Sequence, residues 1–198
     1  MGRYTVVITG ASGSVYGLRL IEQLAVAGHE VVVILTQAGR EVMAYELEFD
    51  LPTEDTAVAL TRYLELPKDT QLRVAYECDL FDPLASGSHP VDAMIVCPAS
   101  MGFCAALAGG LARNLPERAA DVALKERVPL ILVPRETPLS LVHLRNLTAL
   151  TEAGAIVCPA MPAYYHHPTT IDDLVNFVVG KVLDLLGVEH ELFVRWGE

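Results

Sequence analysis

Six short runs rich in aliphatic and β-branched residues recur along the chain, at Tyr4–Thr9, Glu30–Thr36, Gln71–Tyr76, Asp92–Cys97, Pro129–Pro134 and Ala155–Cys158. Several are apolar at almost every position, the pattern of strands covered on both faces. Most are separated by stretches with apolar residues at helical spacing: Val15–Ala27, Gly39–Glu48, Thr56–Leu64, Ser100–Gly109, Glu117–Glu126, Ser140–Glu152 and Ile171–Leu186. Strands alternating with helices predict an α/β fold, an open parallel sheet of about six strands with helices on both faces. Sheets of this kind take ligands beyond the carboxyl ends of their strands. The segments to inspect are therefore Gly10–Gly17, Thr36–Glu46, Pro98–Phe103, Arg135–Pro138 and Pro159–Pro168.

Composition narrows the class. A length of 198 residues, 52% of them apolar and 20% charged, suits a single domain with a generous core. No apolar run reaches the ~18 residues that a membrane span needs, and strand-like sequence starts at Arg3, leaving no room for an export leader. A soluble, cytoplasmic protein with no membrane partner is expected. The net charge of −11, with dispersed basic residues, opposes binding to nucleic acid. Cys78, Cys97, Cys104 and Cys158 form no C-x-x-C pair and no cluster at zinc spacing, so reduced thiols are expected and structural zinc is not.

The first strand runs into Gly10-Ala11-Ser12-Gly13-Ser14-Val15-Tyr16-Gly17 and then a helical stretch. Glycines permit a tight turn, and open N–H groups at a helix start attract phosphate. Dinucleotide binding would want G-x-G-x-x-G and an acid closing the second strand. Both are missing, and Thr36 stands where the acid would be, so a mononucleotide fits better. Ser100 suits a helix cap, and the small residues after it allow either a ligand ring or simple tight packing to approach.

Arg118 and Lys125, seven residues apart, share one face of a predicted helix. They could hold one anion together or belong to an ordinary solvated face. Arg135 and Glu136 lie between Pro134 and Pro138, which restrict the backbone there. An arginine can clamp phosphate while a neighbouring carboxylate moves a proton, although a structural ion pair is the alternative. The last strand closes on a proline-framed aromatic loop, Pro159–Pro168. Its adjacent His166 and His167 are poorly spaced for one metal, and no third ligand is evident. Asp172 and Asp173 suit the positive end of a helix better than a diphosphate-bound metal.

Taken together, Gly10–Gly13 with Tyr16-Gly17, Asn114–Arg127, Val133–Pro138, Pro162–Pro168 and Arg195-Trp196 resemble the UbiX-type flavin prenyltransferases, relatives of the flavin-binding cysteine decarboxylases. The resemblance spans nearly the whole chain. It implies a Rossmann-like single domain, residues 1–198, that joins dimethylallyl from dimethylallyl phosphate to N5 and C6 of reduced FMN. The product would be prenylated FMN for a separate decarboxylase of the UbiD type.

The resemblance assigns flavin contacts to Gly10, Ala11, Ser12, Thr36, Ser100, Met101, Gly102, Phe103 and Arg135. It assigns the prenyl phosphate to Arg118, Lys125, Tyr165 and Lys181, and places Ser12, Glu46, Glu136, Tyr165 and Trp196 near the reacting atoms. No metal is implied, because the cations would neutralise phosphate themselves. It further implies a dodecamer with sites at subunit contacts. Phe103 departs from the threonine common in that family. The competing readings are an FMN-dependent oxidative decarboxylase of a peptidyl or pantothenoyl cysteine, and an FMN storage or assembly protein. The first should carry a catalytic histidine motif that this chain lacks, and the second has no use for a second cationic pocket.

Overall fold

A computed structural model describes residues 1–197. Its elements are β1 (Arg3–Ile8), α1 (Ser14–Val26), β2 (Glu30–Leu35), α2 (Gln37–Leu47), α3 (Thr56–Tyr63), β3 (Leu72–Tyr76), β4 (Ala93–Ala99), α4 (Met101–Ala108), α5 (Leu115–Glu126), β5 (Leu130–Pro134), α6 (Leu141–Glu152), β6 (Ile156–Val157) and α7 (Ile171–Leu186). A 3-10 turn at Pro83–Ala85 occupies the long connection between β3 and β4. The strands form one sheet in the order β3-β2-β1-β4-β5-β6, and every pairing is parallel. Among the described residues no helix is long and apolar enough to cross a membrane.

Side chains alternate across the strands, so the fully apolar runs feed two core layers. Val6, Ile8, Val33, Ile95 and Val133 pack with Leu20, Ile21 and Leu24 of α1 and Val178 and Val182 of α7. Val7, Ile34, Met94, Val96 and Leu132 face the other way, against Leu107 of α4, Ala119 and Ala123 of α5 and Leu150 of α6.

Several boundaries differ from the sequence expectation, each for a local reason. Thr36 ends no strand: its hydroxyl accepts the Gly39 N–H at 3.0 Å and caps α2, which therefore starts at Gln37. Ser100 caps α4 as expected, accepting from Phe103 N at 3.2 Å, so the helix itself starts at Met101. Helix α5 begins two residues before Glu117, because the Asn114 side chain caps it and Pro116 is tolerated in a first turn. β6 keeps only Ile156 and Val157 in register with β5.

The sheet reverses direction of winding at β1, whose neighbours are β2 and β4. Gly17 lets α1 close onto this point, since a Cβ there would fall 2.2 Å from the Cys97 carbonyl oxygen. A crevice beyond the carboxyl ends of β1 and β4 follows from that topology.

Candidate active site

Two segments meet in the crevice, Thr9–Gly13 after β1 and the passage from the end of β4 at Pro98 into α4 through Ser100. Thr9 ties them together: its buried hydroxyl donates to the Pro98 carbonyl at 2.7 Å and accepts the Ser100 N–H at 2.8 Å. Gly13 takes φ 107°, a left-handed conformation that favours glycine, with the Tyr16 ring against it. The loop is also held from two distant elements. Glu46, near the end of α2, accepts the Gly13 N–H at 3.0 Å and the Ser14 N–H at 3.1 Å. Arg135, just past β5, donates from Nε to the Ser12 carbonyl at 3.0 Å. Ser12 is exposed at the tip, and its hydroxyl turns to the Glu46 carboxylate.

Glu46 is a carboxylate at neutral pH. Burial works against its charge, but the Ser12 hydroxyl and the amides of Gly13 and Ser14 hold its carboxyl below the usual glutamate range. Glu136 and Arg135 do not pair with each other: Glu136 accepts the Thr137 N–H at 3.0 Å while Arg135 reaches the loop. Burial pushes the Tyr16 phenol up, with the neighbouring Arg135 opposing.

A mononucleotide phosphate fits the start of α4. The Ser100 cap takes the Phe103 N–H, which leaves those of Met101 and Gly102 without an intrahelical acceptor. A Cβ on Gly102 would meet no protein atom within 4 Å. The Phe103 and Met101 side chains turn into the core, so these two residues offer the site their backbone.

Beside the crevice, the loop after β6 and the C-terminal tail form an aromatic cluster. Tyr165 and Trp196 meet edge-on with ring centroids 5.0 Å apart, and Tyr165 also meets Phe177 at 5.8 Å. Trp196 is 80% exposed, which leaves its other face open. Lys181 of α7 lies near Cys158, where its charge opposes the upward push of burial on that thiol. It donates to Asp184 at 3.2 Å.

Arg118 and Lys125 are not drawn to this crevice within one subunit. Helix α5 starts where the Leu115 N–H meets the Glu77 carbonyl after β3, and its far end leads back into β5. Arg118 donates to the Ala85 carbonyl at 3.0 Å and pairs with Asp121 at 2.6 Å; Lys125 pairs with Glu126. Helical spacing put both on one face correctly as a pattern, but the element that face meets is the turn at Pro83–Ala85.

Two positioning residues escaped the sequence reading. Thr9 left one signal, a polar residue closing an apolar strand. Glu77 left none; it accepts from Gln37 N at 2.7 Å and Asn114 Nδ2 at 3.0 Å, joining the starts of α2 and α5. No group of three or more His, Cys, Asp or Glu among the described residues is arranged to hold a metal ion.

The Flavoprotein family model matches residues 2–183. The flavin prenyltransferase UbiX of Halalkalibacterium halodurans is 46% identical over 197 residues, covering 100% of this chain and 94% of the relative. The flavin prenyltransferase UbiX of Pseudomonas aeruginosa is also 46% identical, covering 99% of this chain and 94% of the relative. Among solved structures, AnUbiX in complex with FMN and dimethylallyl pyrophosphate matches with TM-score 0.88 and 36% identity, over 100% of this chain and 98% of that one. The dodecameric FMN-dependent UbiX-like decarboxylase of Escherichia coli O157:H7 matches at 0.86 and 37%, over 99% and 100%. The cypemycin decarboxylase CypD, 18% identical at TM-score 0.61, shares the fold. Matched over its whole length by UbiX-type enzymes, the chain belongs to the Flavoprotein family, in its flavin prenyltransferase branch.

Proposed function

We propose that the protein is a flavin prenyltransferase, joining the dimethylallyl group of dimethylallyl phosphate to N5 and then C6 of reduced FMN. The observation that carries this reading is the full-length likeness to AnUbiX, whose structure contains FMN and dimethylallyl pyrophosphate. Reduced flavin supplies the nucleophilic ring atoms. The residues of the chain bind, shield and move protons.

In this reading Gly10, Ala11, Ser12, Thr36, Ser100, Met101, Gly102, Phe103 and Arg135 hold the flavin, with the open amides of α4 toward its phosphate. Arg135 fixes the loop through the Ser12 carbonyl, and Glu136 with Ser12 relays a proton to the departing phosphate. Glu46, ionised and held by two amides, accepts the proton lost from the flavin carbon. Arg118, Lys125 and Lys181 neutralise phosphate without a metal. Tyr165 and Trp196 give the allylic cation polarisable walls and exclude water.

Within one subunit the cations of α5 are engaged by the Ala85 carbonyl, Asp121 and Glu126, and in this reading they complete the site of a neighbouring copy. That arrangement requires a homo-oligomer, such as the dodecamer of the UbiX-like decarboxylase of Escherichia coli O157:H7. Prenylated FMN then passes, in the cytoplasm, to a separate decarboxylase that uses it.

Release of inorganic phosphate from dimethylallyl phosphate tests the reading against its competitors. Release that requires reduced FMN is expected. Loss of carbon dioxide from a peptide ending in cysteine, with oxidised FMN and no phosphate release, would replace it with the decarboxylase. FMN binding with neither reaction would leave a storage protein.

A further inference from the structure

The end of α7 and the tail behind it carry a network that the proposed chemistry leaves unused. Asp184 lies in the last turn of α7, where the negative end of the helix dipole disfavours an acid. Three residues converge on it. Lys181 Nζ donates to Oδ2 at 3.2 Å, and Arg195 donates from Nη2 to Oδ1 at 2.9 Å and from Nη1 to Oδ2 at 3.4 Å. His190 Nε2 lies 3.2 Å from Oδ1. The His190 Nδ1 accepts the Leu192 N–H at 3.2 Å, which leaves the ring proton on the nitrogen facing Asp184. Burial opposes the charge on Asp184, yet Arg195 and Lys181 hold its carboxyl below the usual aspartate range.

A second observation, one helical turn earlier, is independent of charge. Gly180 sits inside α7, where glycine costs about 1 kcal/mol relative to alanine. A Cβ there would fall 2.5 Å from Phe193 Cε1 and 2.7 Å from His190 Cε1. The missing side chain is a notch that seats the tail. Phe193 then packs on Phe177 at 4.9 Å, and three residues later Trp196 meets Tyr165.

We propose that Asp184 is a positioning residue: with the tail seated in the Gly180 notch, its carboxylate holds the Lys181 ammonium and the Arg195–Trp196 turn together at the prenyl-phosphate pocket. The proposal rests on the functional reading of Lys181, Tyr165 and Trp196, and adds what fixes them relative to one another. Two cations on one carboxylate leave a net positive charge for a phosphate. Because both hang on the same group, losing it frees phosphate ligand and aromatic wall at once.

Asp184→Asn in the full-length protein tests this. Trp196 is the chain's only tryptophan, so time-resolved anisotropy of its emission reports tail motion with no substrate present. The wild type should decay with tumbling of the whole particle, whereas the variant should add a nanosecond component typical of free termini. KM for dimethylallyl phosphate should rise about tenfold or more, with kcat changed less and FMN affinity preserved, the signature of lost substrate positioning. Retained FMN affinity also shows that the variant folds. Gly180→Ala, which fills the notch but keeps the carboxylate, should produce the same pair of changes.

Unchanged anisotropy in both variants would overturn the tether. Released anisotropy with unaltered KM would overturn its role in the pocket. Absence of prenyl transfer by the wild type would defeat the underlying functional reading and the pocket role with it. That failure is distinguishable, because the anisotropy measurement needs no substrate.

Discussion

Replacing Gly102 with alanine should strengthen the fold and weaken its hold on flavin. The residue lies in the first turn of α4 with an ordinary helical backbone, and a Cβ there would meet nothing within 4 Å. The fold has no use for a glycine at this point. Alanine restricts the unfolded chain and suits the helix, a gain of about 0.5–1 kcal/mol, or roughly 1–4 °C in Tm at this size. The Gly102 N–H, however, is one of two open donors at the helix start. A phosphate bound there lies against the Cα, where the new methyl must go. Losing one hydrogen bond to a charged group, at about 1.5–3 kcal/mol, weakens FMN binding about 10–100-fold. Thermal melts of the flavin-free protein and a fluorescence titration with FMN measure the two effects separately. Unchanged or tighter FMN binding would refute the placement of the phosphate at α4, and a lower Tm would refute the claim of free space.

Other outcomes follow from single contacts. Glu136→Gln should slow product formation about 10²–10⁴-fold in anaerobic single turnovers while FMN affinity holds, since no ion pair links Glu136 to Arg135; near-normal turnover would remove Glu136 from the chemistry. Gly17→Ala should lower both Tm and FMN affinity, because its Cβ would sit 2.2 Å from the Cys97 oxygen. The overpacking costs about 1–3 kcal/mol or more against a helix gain of about 1 kcal/mol; a higher Tm in a melt would contradict this. Asp173, hydrogen bonded by the Thr169 and Thr170 amides, has its carboxyl held down to about 2. A depressed folded pKa means that its capping of α7 is complete above the unfolded value of ~3.9 and lost as pH falls toward the folded one. An NMR titration of the Asp173 carboxyl should show the low midpoint, and an ordinary one would contradict it.

The sheet was legible because β1, β2, β4 and β5 are covered on both faces and so read as unbroken apolar runs. The loops at the carboxyl ends were legible for the same reason, since the topology rule needs only the strand ends. Caps were harder. Ser100 read as a cap and is one, but Thr36 read as a strand end, and which element claims it depends on a hydroxyl that accepts one amide. The strand order, with β4 beside β1, depends on crossover paths that no local pattern records.

Contacts that shape the site were the least legible. Glu46 reaches Gly13 across 33 positions and Arg135 reaches Ser12 across 123, so neither has a spacing signature. Arg118 and Lys125 carried a sound helical pattern, yet a pattern cannot say what a face meets, and theirs meets Ala85 and its own acids. Nothing in the sequence around Asp184 marks it out; only the folded tail brings three partners onto it.

Mass spectrometry of the flavin tests the central claim most directly. The protein, dialysed against a chelator, is incubated anaerobically with reduced FMN and dimethylallyl phosphate, and the flavin is then released and weighed. FMN heavier by one dimethylallyl unit is expected, formed at the wild-type rate without added magnesium and abolished or severely slowed in Glu136→Gln. Recovery of unmodified FMN, or product only after magnesium is restored, would contradict it.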